Sequence, residues 1–224
     1  MLICIEGIDG SGKGTVTAKL LEKINSAEED LVCGKFSFPN YTGTAYGEIV
    51  GKYLNGDFGP KAHPYISGTL FSLDRAQSKP ILEAMLSACD CLILDRYTPS
   101  NVAYCAAGCK SAEEGLTVAD HFLSFEHNFL ELPLPDKIFY LDMDTKIAVE
   151  NIAKKKARDY TSLTHDIHEA DFTYLDSVNN FYKHTLPSLY AKLDVPVINI
   201  ACVEAGELRS FDCIVTDIVN QIWS

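Results

Sequence analysis

Five short apolar runs punctuate the chain: Leu2–Gly7 (LICIEG), Lys35–Pro39 (KFSFP), Cys91–Tyr97 (CLILDRY), Lys137–Met143 (KIFYLDM) and Pro196–Ala201 (PVINIA). None alternates cleanly between apolar and polar positions. Strands buried on both faces have this pattern, as in a parallel sheet. Helical periodicity fills the intervals, over Lys13–Asn25, Ala45–Leu54, Ile66–Leu86, Glu113–Leu130, Thr145–Arg158, Phe172–Leu193 and Glu207–Trp223. Pro80 is expected to bend or split the third of these, and Pro187 falls inside the sixth. Strands alternating with helices predict an α/β fold, a five-stranded parallel sheet flanked by helices on both faces. No internal repeat or linker interrupts the pattern, so residues 1–224 read as one domain.

Composition narrows the function classes. With 224 residues, 47% of them hydrophobic, the chain suits one soluble domain with a full core. The net charge of −12 argues against nucleic acid or an anionic membrane as the main partner, because both demand a basic face. A small anionic ligand stays possible at a locally positive site. The start, MLICIEG, lacks a basic leader, and no apolar run approaches the roughly 18 residues of a spanning helix. The cytoplasm is therefore the expected location. Eight cysteines show no C-x-x-C pair and no Cys/His ligand spacing, so free thiols are expected. Cys4, Cys89, Cys91 and Cys213 read as small core residues, and Cys105 and Cys109 as a pair four apart on a helix.

The stretch GIDGSGKGT, residues 7–15, carries the first chemistry. Gly7, Gly12 and Lys13 fit the phosphate-cradle pattern G-x-x-x-x-G-K-[ST], in the required strand–turn–helix context. Glycines at 7, 10 and 12 allow tight curvature, so that backbone N–H groups from Gly7, Ile8, Asp9, Gly10, Ser11, Gly12, Lys13, Gly14 and Thr15 can face a triphosphate. The following helix adds its N-terminal dipole, and Lys13 a point charge. Gly14 stands where a hydroxyl residue is usual, and Thr15 comes one place late. The loop resembles that of adenylate-kinase-type nucleoside monophosphate kinases, which share this displacement. No N-K-x-D guanine motif occurs.

The acceptor follows from the next strands. Transfer to a neutral hydroxyl benefits from a carboxylate base. A monophosphate, with a second pKa of about 6, is already largely ionised and asks for arginines instead. The second strand ends in FSFPNY without an acid, whereas the third ends in Asp95-Arg96-Tyr97. That pair lies at the carboxyl edge of the sheet, where ligands bind in such folds.

Five stretches then match one family in order and spacing: EGIDGSGKGT (6–15), FPNYTGTAYG (38–47), TLFSLDRAQ (69–77), LDRYTPSNVAY (94–104) and PDKIFYLDMD (135–144). Over most of its length the chain resembles the thymidylate kinases, P-loop enzymes with a mobile lid. The resemblance implies Mg²⁺-dependent transfer of a phosphoryl group from ATP to dTMP, usually by a homodimer. It implies that Phe71 stacks on the thymine and that Arg75, on the same helix face, hydrogen-bonds the base. Core packing for Phe71, and an ion pair with Asp74 or Glu83 for Arg75, are the competing readings. Asp9 would approach the sugar 3′-hydroxyl or the metal, unless it simply caps the loop. Arg96 would grip the acceptor phosphate as a planar fork. Asp95 would hold Mg²⁺ through water or orient Arg96, and Thr15 would meet a phosphate oxygen or the metal. Phe38 and Tyr41 would line the acceptor site. Ser100 belongs to that site as well, with Asn101 and Tyr104 facing base and sugar; helix packing competes for Tyr104.

Two departures matter. Tyr41 stands where many members carry the arginine of FPER, and Gly10 rules out the arginine that some members keep in the loop. The missing charge would come from the lid, approximately 151–168, within NIAKKKARDYTSLTHDIHEADF (151–172). Arg158 is the first choice to stabilise the transferring group, beside Lys154, Lys155 and Lys156. Asp166 and Glu169 retain a D-x-x-E pattern, with Glu169 the candidate for a sugar or metal contact. A solvated helix with a basic run is the plainer reading of this segment. Two other functions stay open at this point: a monophosphate kinase with another base preference, and a nucleotide-binding protein without phosphotransfer.

Overall fold

The five apolar runs pair into one parallel sheet, seen in a computed structural model that describes residues 1–27, 31–59, 62–154 and 171–223. Its strands are β1 (Leu2–Glu6), β2 (Cys33–Ser37), β3 (Cys91–Asp95), β4 (Lys137–Asp142) and β5 (Val197–Ala201), in the order β2-β3-β1-β4-β5. Burial explains the apolar pattern. The central strands β1, β3 and β4 are covered on both faces, while the edge strands β2 and β5 expose alternate residues. Register sets the site: Ile5 pairs with Asp95, and Ser37 with Asp95 from the other side. The chain therefore leaves the sheet after Glu6, Ser37 and Asp95 along one edge.

The helices are α1 (Lys13–Ala27), α2 (Ala45–Leu54), α3 (Pro64–Ala88), α4 (Thr98–Ala107), α5 (Ala112–Ser124), α6 (Thr145–Lys154), α7 (Phe172–His184), α8 (Leu186–Ala191) and α9 (Phe211–Ile222). Pro80 neither ends nor splits α3, which runs through it for 25 residues. Burial of Ser72, Asp74, Arg75, Ser78 and Leu82 along one side holds the helix across the missing hydrogen bond. Pro187 does mark a break: α7 ends at His184, and the proline sits in the first turn of α8, where no N–H is needed. The predicted helix over 113–130 instead closes at Ser124 and continues as a π-helical turn, Phe125–Phe129, in which Leu130 N–H donates to the Phe125 carbonyl (2.9 Å).

Three sequence expectations need correction. Residues 207–208 are not helical; they pair with Val203–Glu204 in a small hairpin whose turn residues, Ala205 and Gly206, have φ of 50° and 84°. α9 starts only at Phe211, capped by Ser210, whose hydroxyl accepts from Cys213 N–H. Cys213 is exposed rather than core, and Cys89 is half-buried. The pair Cys105/Cys109 does not share a helix, because α4 ends at Ala107. Periodicity missed α4 altogether. Its residues TPSNVAYCAA are buried almost all round, so no apolar stripe marks the helix.

Candidate functional site

The strand ends and helix starts at the sheet's carboxyl edge enclose a cavity of about 390 Å³. Asp9, Gly10, Gly12, Lys13 and Gly14 line one end. Phe38, Pro39 and Tyr41, following β2, and Phe71 and Arg75, on α3, line the other. Asp95, Arg96, Ser100, Asn101 and Tyr104 form the wall between them. All the described acceptor-side residues singled out by sequence thus face one space.

The glycine loop is shaped by what surrounds it. Gly10 has φ of 82°, and a Cβ there would lie 2.1 Å from the Ala148 carbonyl oxygen on α6. Asn151, also on α6, donates to the Gly10 carbonyl (3.1 Å). No arginine fits at this position. Gly14 has a different reason: a Cβ would stand 3.2 Å from Asp95 Oδ2, so a larger residue would crowd that carboxylate. Lys13 folds over its own loop and donates to the Ile8 carbonyl (2.7 Å). Burial, and after it the Arg96 charge, lowers its pKa to about 7 against the pull of Asp9, Asp95 and Glu6. Ile8 is itself core, Ser11 is buried with a hydroxyl that has no partner among the described residues, and Thr15 is exposed outside the cavity.

Arg96 is the hub of the wall. Its φ of 66° is a left-handed conformation that costs a non-glycine residue about 1–2 kcal/mol. The turn aims the guanidinium back at the loop. Nη2 donates to Asp9 Oδ1, and Nη1 to Ser100 Oγ (3.1 Å) and the Gly7 carbonyl (3.4 Å). Tyr104 hydroxyl donates to the other Asp9 oxygen (2.8 Å), and its ring lies beneath the guanidinium, 5.4 Å from ring centroid to Cζ. Asp9, rather than Asp95, therefore orients Arg96. Beneath this group lies Glu6, wholly buried, which sequence reading passed over. It accepts from Tyr97 N–H (2.7 Å), Ser100 hydroxyl (2.7 Å) and Tyr182 hydroxyl (2.8 Å). Burial raises its pKa, opposed first by the Ser100 hydrogen bond and then by the Arg96 charge.

At the far end Arg75 pairs neither with Asp74 nor with Glu83. Its Nε and Nη2 donate to the two oxygens of Glu126, at 2.9 and 2.6 Å. Both side chains are almost wholly buried. Burial works against the Arg75 charge, but Glu126 outweighs it and the pKa is raised. Asp74 points the other way and accepts from Asn40 N–H (2.9 Å) and Thr44 hydroxyl, pinning the segment that carries Tyr41 to α3. Glu126 sits on the π-helical turn, and only its place amid the apolar letters LSFEHNF hinted at a buried charge. The lid residues Lys155, Lys156, Arg158, Asp166, His168 and Glu169 lie outside the described residues. Lys154 is exposed at the end of α6, 3.9 Å from Glu150.

Comparison with known proteins follows this geometry. Residues 5–188 match the family model described as thymidylate kinase. A thymidylate kinase of Mycobacterium tuberculosis (strain CDC 1551 / Oshkosh) is 34% identical over 160 residues, 71% of this chain and 73% of that one. A thymidylate kinase of Leptospira borgpetersenii is 27% identical over 194 residues, 87% of this chain and 85% of that one. The solved thymidylate kinase of Candida albicans superposes with a TM-score of 0.70 at 23% identity, over 99% of this chain and 90% of that one, a likeness of fold.

Proposed function

The chain belongs to the thymidylate kinase family, and on that premise we propose that it transfers the γ-phosphoryl group of ATP to the phosphate of dTMP, giving ADP and dTDP. One observation carries the reading for this chain's own residues. A single cavity joins the glycine loop and Lys13 to Arg96 and, beyond it, to Phe71, Arg75 and Asn101. The glycine loop receives the donor triphosphate, with its N–H groups and the α1 dipole as the anion cradle. Lys13 leaves the Ile8 carbonyl for the phosphates. Arg96 holds the acceptor phosphate in line; no base is required, because that oxygen is already charged. Phe71 and Arg75 receive the pyrimidine, and Tyr104 with Asp9 closes the space at the sugar, where Tyr104 favours deoxyribose. Tyr41 adds a phenol to the acceptor end.

Mg²⁺ fits this site as a companion of the nucleotide. Among the described residues no group of three or more His, Cys, Asp or Glu side chains could hold a metal by itself. Such an ion commonly takes one or two carboxylates and otherwise phosphate oxygens and water. Asp95, lining the cavity beside Gly14, is the carboxylate we assign to it, with Asp9 in the same cavity as a second; Thr15, outside the cavity, would reach the ion only through the bound triphosphate. When bound, the ion neutralises phosphate charge during transfer. The lid cations, Arg158 first, supply the charge that Gly10 excludes from the loop. In this reading the protein is a cytoplasmic homodimer, as the family resemblance implies; among the described residues no helix is long and apolar enough to cross a membrane.

A panel of nucleoside monophosphates with ATP tests the assignment. dTMP is expected to have the highest kcat/KM. Comparable turnover of dTMP, dCMP and dGMP would sink it.

A further inference from the structure

Glu126 lies behind the cavity wall, with no exposed surface, and none of its atoms faces the cavity. It nevertheless touches both polar side chains at the base end. Oε1 accepts from Arg75 Nη2 (2.6 Å), from Asn101 Nδ2 (2.5 Å) and from the Ser72 hydroxyl (2.7 Å); Oε2 accepts from Arg75 Nε (2.9 Å). Asn101 Nδ2 also meets the Gly68 carbonyl and Ser72 Oγ, each at 3.0 Å.

A carboxylate only accepts hydrogen bonds, and so does a main-chain carbonyl. Between them they fix which way the Asn101 amide turns, because the flipped amide would press Oδ1 against two acceptors. The NH₂ group is consumed at the back, and Oδ1, which among the described residues has only a long contact from Cys105 Sγ (3.5 Å), is the atom left to accept. The same carboxylate takes Nε and Nη2 of Arg75 and leaves Nη1 outside that ion pair. Both residues line the same cavity, so Asn101 can offer it an acceptor and Arg75 a donor. A pyrimidine edge of the thymine or uracil kind, an N3–H donor beside an O4 acceptor, is its complement. The cytosine edge, an N3 acceptor beside an N4 amino donor, is its opposite.

We propose that Glu126 is the positioning residue that sets base specificity: it fixes the Asn101 amide and the Arg75 guanidinium as an acceptor–donor pair that admits 4-oxo pyrimidines and rejects 4-amino ones. The inference rests on the acceptor reading given above, and its test separates the two. A site built to pair with a buried polar group rejects the unmatched analogue strongly, because its own groups are left unpaired.

Glu126→Gln is nearly isosteric but carries an NH₂ that can donate to the Asn101 oxygen, so one of the two acceptors that oppose the flipped amide is lost and only the Gly68 carbonyl still opposes it. Steady-state kinetics of E126Q with dTMP, dUMP and dCMP, at saturating ATP, read the effect. The dTMP:dCMP ratio of kcat/KM is expected to fall at least ~10-fold. The dTMP:dUMP ratio and the KM for ATP should stay within about twofold of wild type, since neither depends on the amide orientation. Glu126→Asp keeps acceptor-only chemistry on a shorter arm and should retain the dTMP:dCMP ratio while slowing all three substrates. If E126Q does not fold, E126D carries the test alone. An unchanged ratio in E126Q, an equal loss for all three bases, or a collapsed ratio in E126D overturns the proposal. Wild-type protein that makes no dTDP would instead refute the acceptor reading.

Discussion

Lys13 is buried inside the loop it is meant to serve, bonded to the Ile8 carbonyl with a pKa lowered to about 7. That position makes a pH statement. A bound triphosphate brings negative charge to the ammonium group and raises its pKa. Between the free and bound values the complex holds a proton that the free protein lacks. Nucleotide binding should therefore take up protons, and weaken, as pH climbs above about 7. Titration calorimetry of ATP in two buffers of different ionisation enthalpy, near pH ~8, should show uptake approaching one proton per site, with less near pH ~6. Zero uptake at the higher pH contradicts the account of Lys13. At this scale local motif reading went far. Arg75, Arg96, Phe71 and Tyr104 carry their signal in short windows, and all four line the cavity. Glu6 and Glu126 do not, because their meaning lies in partners far along the chain: Tyr182 is 176 residues from Glu6, and Arg75 51 residues from Glu126.

Helix α3 works as the ruler of the acceptor end. Residues 71 and 75 share its cavity face, while Asp74 turns to the segment 38–44 that precedes α2. Asp74 is buried, and Thr44, which it holds, also caps α2 through Gly47 N–H. Removing the carboxylate leaves Asn40 N–H without its acceptor, at a cost of about 1–3 kcal/mol. Asp74→Ala is therefore expected to lower the denaturation midpoint and raise KM for dTMP at least ~5-fold, with KM for ATP nearly unchanged. Equal effects on both substrates would show that α3 does not place the acceptor loop separately from the donor loop. Strands were legible because burial on both faces writes itself as an apolar run. α4 was not, since near-complete burial of small and polar residues leaves no stripe, and the π-helical turn at 125–129 has no periodic signature. The consequence is functional, for α4 and that turn carry Asn101, Tyr104 and Glu126.

Across the whole molecule, a net charge of −12 surrounds a cavity whose working cations are few: Lys13, Arg75 and Arg96. Arg75 is neutralised by Glu126 and Arg96 is held by Asp9, so the acceptor phosphate must compete with Asp9 for Arg96 while Arg75 keeps its partner. The five-strand order, read from sequence only as a parallel sheet, brings the ends of β1, β2 and β3 together and so gives donor and acceptor one shared space. No local pattern states that adjacency; it is a property of strand pairing. The central claim is that this space passes a phosphoryl group from triphosphate to monophosphate. The most direct test is to incubate the protein with γ-labelled ATP and Mg²⁺, with either dTMP or thymidine, and to separate the products. The account predicts label in dTDP from dTMP and none in a phosphorylated product from thymidine. Label appearing in dTMP formed from thymidine, or released only as inorganic phosphate with no dTDP, would contradict it.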